Sequence, residues 1–199
     1  MLLPTILLAG LVSAAPALNT RQATNDFLPW DITAASAFSP SGRPGSSPES
    51  TVTISIKQPN VIRLQQAPTG YAGFLPFEAT CRWSWTGGRT NFPAGAEALC
   101  SSEAGASTYG NFTMTLSGTD QANFSVAIKE TREVTIFQQK YVRVYEGERE
   151  FTLTGDWRQS CGGSGVCSWS PLEGVLPIKV QQELTESIGS CEEATIGGC

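Results

Sequence analysis

Phe77-Glu-Ala-Thr-Cys-Arg-Trp-Ser-Trp-Thr86 alternates without a break. Phe77, Ala79, Cys81, Trp83 and Trp85 fall on one side of an extended chain, and Glu78, Thr80, Arg82, Ser84 and Thr86 on the other, because successive strand side chains point to opposite faces. The segment therefore reads as a half-buried β-strand whose core face carries a cysteine, stopped by Gly87-Gly88. The same period recurs upstream, where Val52, Ile54 and Ile56 oppose Thr51, Thr53 and Ser55 until Pro59. Phe27, Leu28, Trp30 and Ile32 form a first strand, with Trp30 and Ile32 facing one way. Downstream, Phe112, Met114 and Leu116, then Phe124, Val126 and Ile128, bracket Ser117-Gly-Thr-Asp-Gln121 as a hairpin. Val134 with Ile136 and Val142 with Val144 follow. Glu146-Gly147-Glu148 reads as a second turn, from which Phe151 and Leu153 return. Leu176, Ile178 and Val180 close the series, and Pro177 places that strand at a start or an edge.

Between these strands, residues from Arg21 to about Ser50 are rich in Ser, Pro, Gly and Ala and read as an extended loop after the first strand, as does the stretch from Gly88 to Cys100. One helical turn around Gln182 to Ser187 is the single departure from β patterning, and no sequence period repeats. The expectation is an all-β, disulfide-stabilised single domain, sandwich or barrel, of about nine to eleven short strands. Residues 22–50 hold the first strand and the loop, 51–184 the β core, and 185–199 a disulfide-pinned tail.

The apolar run from Leu2 to Val12 is shorter than the roughly 20 residues that span a bilayer. Ser13, Ala14, Ala15 and Ala17 supply small residues for a peptidase, so residues 1–17 read as a signal peptide cut after Ala15 or Ala17. Arg21-Gln22 offers a second processing position. The expected product is a freely soluble extracellular chain of roughly 180 residues, one domain with a real core and no membrane anchor. A net charge of −5, with the basic residues scattered singly, argues against a phosphate-tracking surface for nucleic acid.

In an oxidising compartment the six cysteines, Cys81, Cys100, Cys161, Cys167, Cys191 and Cys199, read as a disulfide framework of open connectivity. Neighbour pairing gives Cys81 to Cys100, Cys161 to Cys167 and Cys191 to Cys199. The first closes the longest loop, worth on the order of 3 kcal/mol in the loop-entropy model. Cys199 could instead link two chains, so both a monomer and a homodimer fit. Zinc is the rival use of these thiols, but the chain has no histidine, and no metal or cofactor is expected.

The missing histidine also closes the Ser-His-Asp and Cys-His mechanisms and imidazole-dependent copper sites. Gly162-Gly-Ser-Gly-Val166 reads as a turn closed by cysteines, with no base for its serine. Two-carboxylate glycoside hydrolysis stays open, with Glu146, Glu148, Glu150, Asp156 and Glu173 as candidates, although Glu146 to Glu150 read more simply as a solvated hairpin. Trp83 and Trp85 share the cysteine face and are assigned to the core. Trp157 and Trp169 flank the small cysteine loop and are expected to be partly exposed, the first place to look for an aromatic contact with a ligand. Asn111-Phe-Thr and Asn123-Phe-Ser are glycan acceptor sequences, and alternation turns both asparagines away from the apolar set.

Pro29-Trp-Asp-Ile-Thr33, Phe38-Ser-Pro-Ser-Gly-Arg-Pro-Gly-Ser-Ser-Pro48, Ala79-Thr-Cys-Arg-Trp-Ser-Trp85 and Cys161-Gly-Gly-Ser-Gly-Val-Cys-Ser-Trp169 resemble stretches of small secreted ascomycete proteins that induce cell death or defence responses in plants. The chain looks like the "cell death in tomato" type of effector and, more distantly, the Alternaria major allergen family of disulfide-bonded β-barrels. The resemblance implies an effector or elicitor that acts without catalysis by binding a plant extracellular protein or receptor, and it carries over no catalytic residue. Against the allergen family, Cys161 and Cys167 lie closer together, the Ser-Pro-Gly loop is longer, and Cys191 with Cys199 has no counterpart. The alternative from the residues themselves is a small secreted glycosidase acting on plant wall polysaccharide.

Overall fold

Alternating apolar residues become fourteen strands in a computed structural model that describes residues 27–87, 91–102 and 110–189. They are β1 (Trp30–Ser39), β2 (Glu49–Gln58), β3 (Ile62–Ala67), β4 (Gly70–Phe74), β5 (Phe77–Thr86), β6 (Glu97–Leu99), β7 (Ser101–Ser102), β8 (Gly110–Gly118), β9 (Phe124–Ile136), β10 (Gln139–Phe151), β11 (Trp157–Cys161), β12 (Cys167–Pro171), β13 (Ile178–Val180) and β14 (Glu183–Ile188). A seven-stranded sheet runs β11-β12-β1-β2-β5-β7, with β13 also on β1, and a five-stranded sheet runs β14-β10-β9-β8-β6. All pairings are antiparallel. The two sheets pack face to face as a sandwich, which decides between the two all-β architectures that the sequence leaves open.

The core lies between them. Val52, Ile54, Ile56, Ala79, Cys81 and Trp83 come from one sheet and Phe112, Met114, Leu116, Phe124, Val126 and Ile128 from the other, all buried. Each fully buried side chain of this size contributes about 1.5–3 kcal/mol. The Cys81–Cys100 disulfide forms, as does Cys161–Cys167. Cys100 sits where the chain passes from β6 in one sheet to β7 in the other, and its N–H donates to Phe112 O at 2.9 Å. The bridge to β5 therefore staples the two layers. Cys161 and Cys167 are direct cross-strand partners closing the β11–β12 hairpin. Cys191, Cys199 and residues 1–26 lie outside the described residues. Among those described there is no α-helix, and no helix long and apolar enough to cross a membrane.

Several segments depart from their sequence reading. Ala34 to Ser39, read as loop, continues β1, because Ala35, Ala37 and Ser39 bury one face while β2 and β12 pair both edges. Glu146-Gly147-Glu148 is not a turn but the middle of β10, and the reversal occurs at Phe137-Gln138, both at positive φ (46° and 70°). Gly147 is there for space. A Cβ at this position would lie 2.5 Å from Gln181 O and 3.0 Å from the Trp30 ring, so glycine marks a close approach rather than a bend. The stretch around Gln182 to Ser187, read as a helical turn, falls in β14 (Glu183–Ile188) on the edge of β10. All six β14 side chains are exposed, and pairing satisfies the β10 backbone. The hairpin β3–β4 and short β6 were not legible as strands; Ile62, Leu64 and Phe74 nonetheless enter the core.

Candidate functional site

The open face of the five-stranded sheet carries a groove of about 480 Å³ lined by residues of all five strands. Register places Glu183 of β14 directly opposite Glu146 of β10, which in turn opposes Lys129 of β9. The next row sets Glu148 beside Ala127, Thr115 and Glu97. Lys129 Nζ pairs with Glu146 Oε1 at 3.4 Å, both half exposed. Directly opposed strand residues hold their Cβ atoms about 4.5–5.5 Å apart, so Glu146 and Glu183 form an adjacent carboxylate pair. Among the described residues no aromatic ring lines the groove.

Of the acidic candidates read from the sequence, the structure brings Glu146 and Glu148 into this groove. Glu150 follows on the same face of β10, exposed, beside Ser125. Asp156 is buried and occupied: its carboxylate takes Arg149 Nη2 and, at 3.1 Å, the Thr152 N–H, which makes it a turn-closing group. Glu173 lies exposed in the turn after β12. Glu97 and Glu183 were missed. Their strands are short or exposed throughout, so no apolar alternation pointed to them.

Trp157 and Trp169 correct the expectation of exposed rings. They are 2% and 1% exposed, and Trp157 packs with its ring centre 5.1 Å from that of Phe151 and 5.8 Å from that of Phe124. Flanking a surface loop does not expose a strand residue whose alternation points inward. Both tryptophans begin or sit within strands whose core-facing positions they occupy, so neither ring offers a face to a ligand. Trp83 is buried as expected, and Trp85 is partly buried against Phe92. Asn111 and Asn123 are exposed and opposite the buried Phe112 and Phe124, as the alternation required.

A second groove, of about 570 Å³, opens where the β3–β4 hairpin meets the distal part of β9. Val61, Tyr71, Leu75, Val134 and Ile136 make it apolar, and Arg63 is the charged residue of its lining, with its guanidinium 4.6 Å from the centre of the Tyr71 ring. Phe137 stands next to it on the β9–β10 turn and is 75% exposed; Leu75 is 64% exposed. A left-handed backbone on a phenylalanine costs about 1–2 kcal/mol, and such outliers concentrate at functional surfaces.

Beneath the first groove lies a buried polar cluster. Glu130 is fully buried and accepts from Trp30 Nε1 at 2.8 Å, Gln58 Nε2 at 2.6 Å and Arg132 Nε at 2.5 Å. Arg132 also donates to Leu75 O at 2.9 Å and lies 4.3 Å above the Phe77 ring. Gly110 admits it, since a Cβ there would meet Arg132 Cδ at 2.3 Å. Gln58 continues to Gln182 and Asn60, which bond Leu28 O. Burial, reinforced by the Glu130 charge, pushes the Tyr145 phenol well above its ordinary value, and burial pulls Arg143 down. Every oxygen of Glu130 is engaged by protein donors, so this cluster holds strands together. Among the described residues no group of His, Cys, Asp and Glu is arranged to hold a metal ion.

These features define a disulfide-clipped antiparallel β-sandwich with an acidic open face and an apolar groove at one end. Comparison with family models, with curated proteins and with solved structures returns no match for this chain.

Proposed function

We propose that the protein is a secreted effector or elicitor that acts without catalysis, docking on an extracellular protein of a plant host through the groove between β3–β4 and β9. The observation that carries the reading is the gathering of Val61, Tyr71, Leu75 and Phe137, each about half exposed or more, at one end of the molecule. Exposed apolar surface of this kind marks interaction sites. Arg63 is the charged residue in this otherwise uncharged lining and stacks on the Tyr71 ring. The sequence resemblance to fungal cell-death inducers supplies the host, and the leader supplies the compartment.

Phe137→Gly tests it, because glycine relieves the positive φ while removing the ring. Purified protein infiltrated into leaves should cause necrosis or a defence response, and the variant should lose that response with its melting temperature unchanged or raised. Retained activity in the variant, or a response absent from the parent protein, refutes the docking face. Light scattering that finds a dimer dissociated by the same substitution would assign the groove to a second copy instead.

One observation favours the glycosidase alternative: Glu146 and Glu183 are register partners on the open face, and a pair of neighbouring carboxyl groups is what two-carboxylate hydrolysis requires. Release of sugar from a panel of plant polysaccharides, abolished by Glu146→Gln and by Glu183→Gln, would establish it; no release from any polysaccharide removes it.

A further inference from the structure

We infer that Asn111 and Asn123 both carry N-linked glycans, and that together they close the open face of the five-stranded sheet to protein partners. The inference rests on the secretory reading proposed above and adds a division of the surface to it. Asn111 is the second residue of β8, exposed, and shares its face with Thr113 and Thr115, which line the acidic groove. Asn123 is exposed at the end of the β8–β9 turn, where its N–H donates to Asp120 Oδ1 at 3.0 Å. Its acceptor partner Ser125 opposes Ser117 of β8 and Glu150 of β10 on that same open face. The two acceptor sites therefore stand at opposite ends of β8 with the groove between them.

The dimensions settle what can enter. Six residue steps from Asn111 to Ser117 cover roughly 20 Å at the rise of a strand. The four gaps across β14-β10-β9-β8-β6 cover roughly 19 Å at the usual inter-strand spacing. The face between the rows of the two acceptor sites is then roughly 20 Å by 19 Å in plane, and glycans rooted at both ends of β8 overhang a surface of which a standard interface needs about 800 Å² of accessible area from each partner. A protein docking there would have to displace carbohydrate, whereas small molecules and single extended polymers would pass. The groove lined by Tyr71 and Leu75 involves neither β8 nor the β8–β9 turn, so it stays open.

Lys129, in the middle of the face and about half exposed, is the reporter, and exposed Lys57 on β2 of the other sheet is the reference. The full chain is secreted from a eukaryotic host and its mass recorded before and after endoglycosidase treatment. It is then labelled with a small amine-reactive reagent and, separately, with a polyethylene-glycol-linked one. The expected result is two glycans, with Lys129 accepting the small reagent and losing the bulky label relative to Lys57. Bulky labelling should return after enzymatic deglycosylation of the folded protein and in the Asn111→Gln, Asn123→Gln variant. A chain that fails to reach the medium, that bears fewer than two glycans, or whose Lys129 takes the bulky label at the Lys57 rate overturns the inference. A doubly glycosylated, shielded protein that provokes no response in leaves sinks the effector reading and leaves this one standing.

Discussion

The two ends of the β9–β10 hairpin meet the opposite sheet in different ways. At the Phe124–Phe151 end the inner surface is aromatic: Phe124 stacks on Phe151 at 5.0 Å and Trp157 leans on both. Further along the same two strands the inner positions are Glu130, Arg132, Arg143 and Tyr145, all buried. An identical pleat thus buries hydrocarbon at one end and charge at the other. The aromatic end is tolerant, because dispersion contacts are many and individually small. The polar end is exacting, because removing one partner strands another in a medium that cannot solvate it. Burial alone therefore does not tell how a region will respond to substitution.

The contrast is most exposed to challenge at Glu130. Glu130→Ala leaves Arg132 buried beside a vacated carboxylate, and urea unfolding should show a loss of about 3–5 kcal/mol. Replacing Glu130 and Arg132 together by Met and Leu should recover most of that loss; no recovery would mean the cluster contributes more than its mutual satisfaction. At the aromatic end, removing the Cys161–Cys167 bridge with paired serines should cost about 2 kcal/mol, since the loop it closes is short.

A finer comparison sets two buried tryptophans against each other. Trp30 donates to Glu130, so Trp30→Phe deprives a buried carboxylate of a donor and should cost about 1–3 kcal/mol. Trp157 Nε1 has no hydrogen-bond partner among the described residues, so Trp157→Phe loses packing alone and should cost less than Trp30→Phe. Equal losses would erase the distinction between the two ends.

The smallest effect at neutral pH belongs to Tyr145. Its folded phenol is raised above the unfolded value of about 10. The folded state therefore keeps the proton that the unfolded chain gives up. Stability from this group is complete below about pH 10 and falls as pH rises toward the folded value. Tyr145→Phe should flatten the alkaline limb of the denaturation midpoint against pH and leave the neutral region nearly unchanged.

Much of the sandwich was legible in alternation, because a strand with one wet and one dry face writes its orientation into every second residue. Val52 to Ile56, Phe77 to Trp85 and the Phe112 to Ile128 hairpin follow that rule. Glu130, Arg132 and Arg143 depart from it, being polar at inward positions, and a glycine between two glutamates reads as a turn at Gly147 although β10 runs through it. The carboxylate groove was half legible. Glu146 and Glu148 stand out on β10, but Glu97 and Glu183 reach it through strands too short or too exposed to carry a pattern.

The all-β class and the inward residues of Val52 to Ile56, Phe77 to Trp85 and the Phe112 to Ile128 hairpin follow from period alone, a local property, whereas the spacing of the cysteines offered the two described pairings and left the connectivity open. Period also determined the outward placement of Asn111 and Asn123. The closing of the chain on itself decided the rest: the sheets form an open sandwich, Trp157 and Trp169 lie inside it, Glu183 faces Glu146, and Glu130 takes distant donors from Trp30 and Gln58 besides nearby Arg132. Those outcomes depend on which strands become neighbours. Pairing is settled by the closing of the whole core around a few positions, such as Gly147 under Trp30, where a single added methyl would not fit.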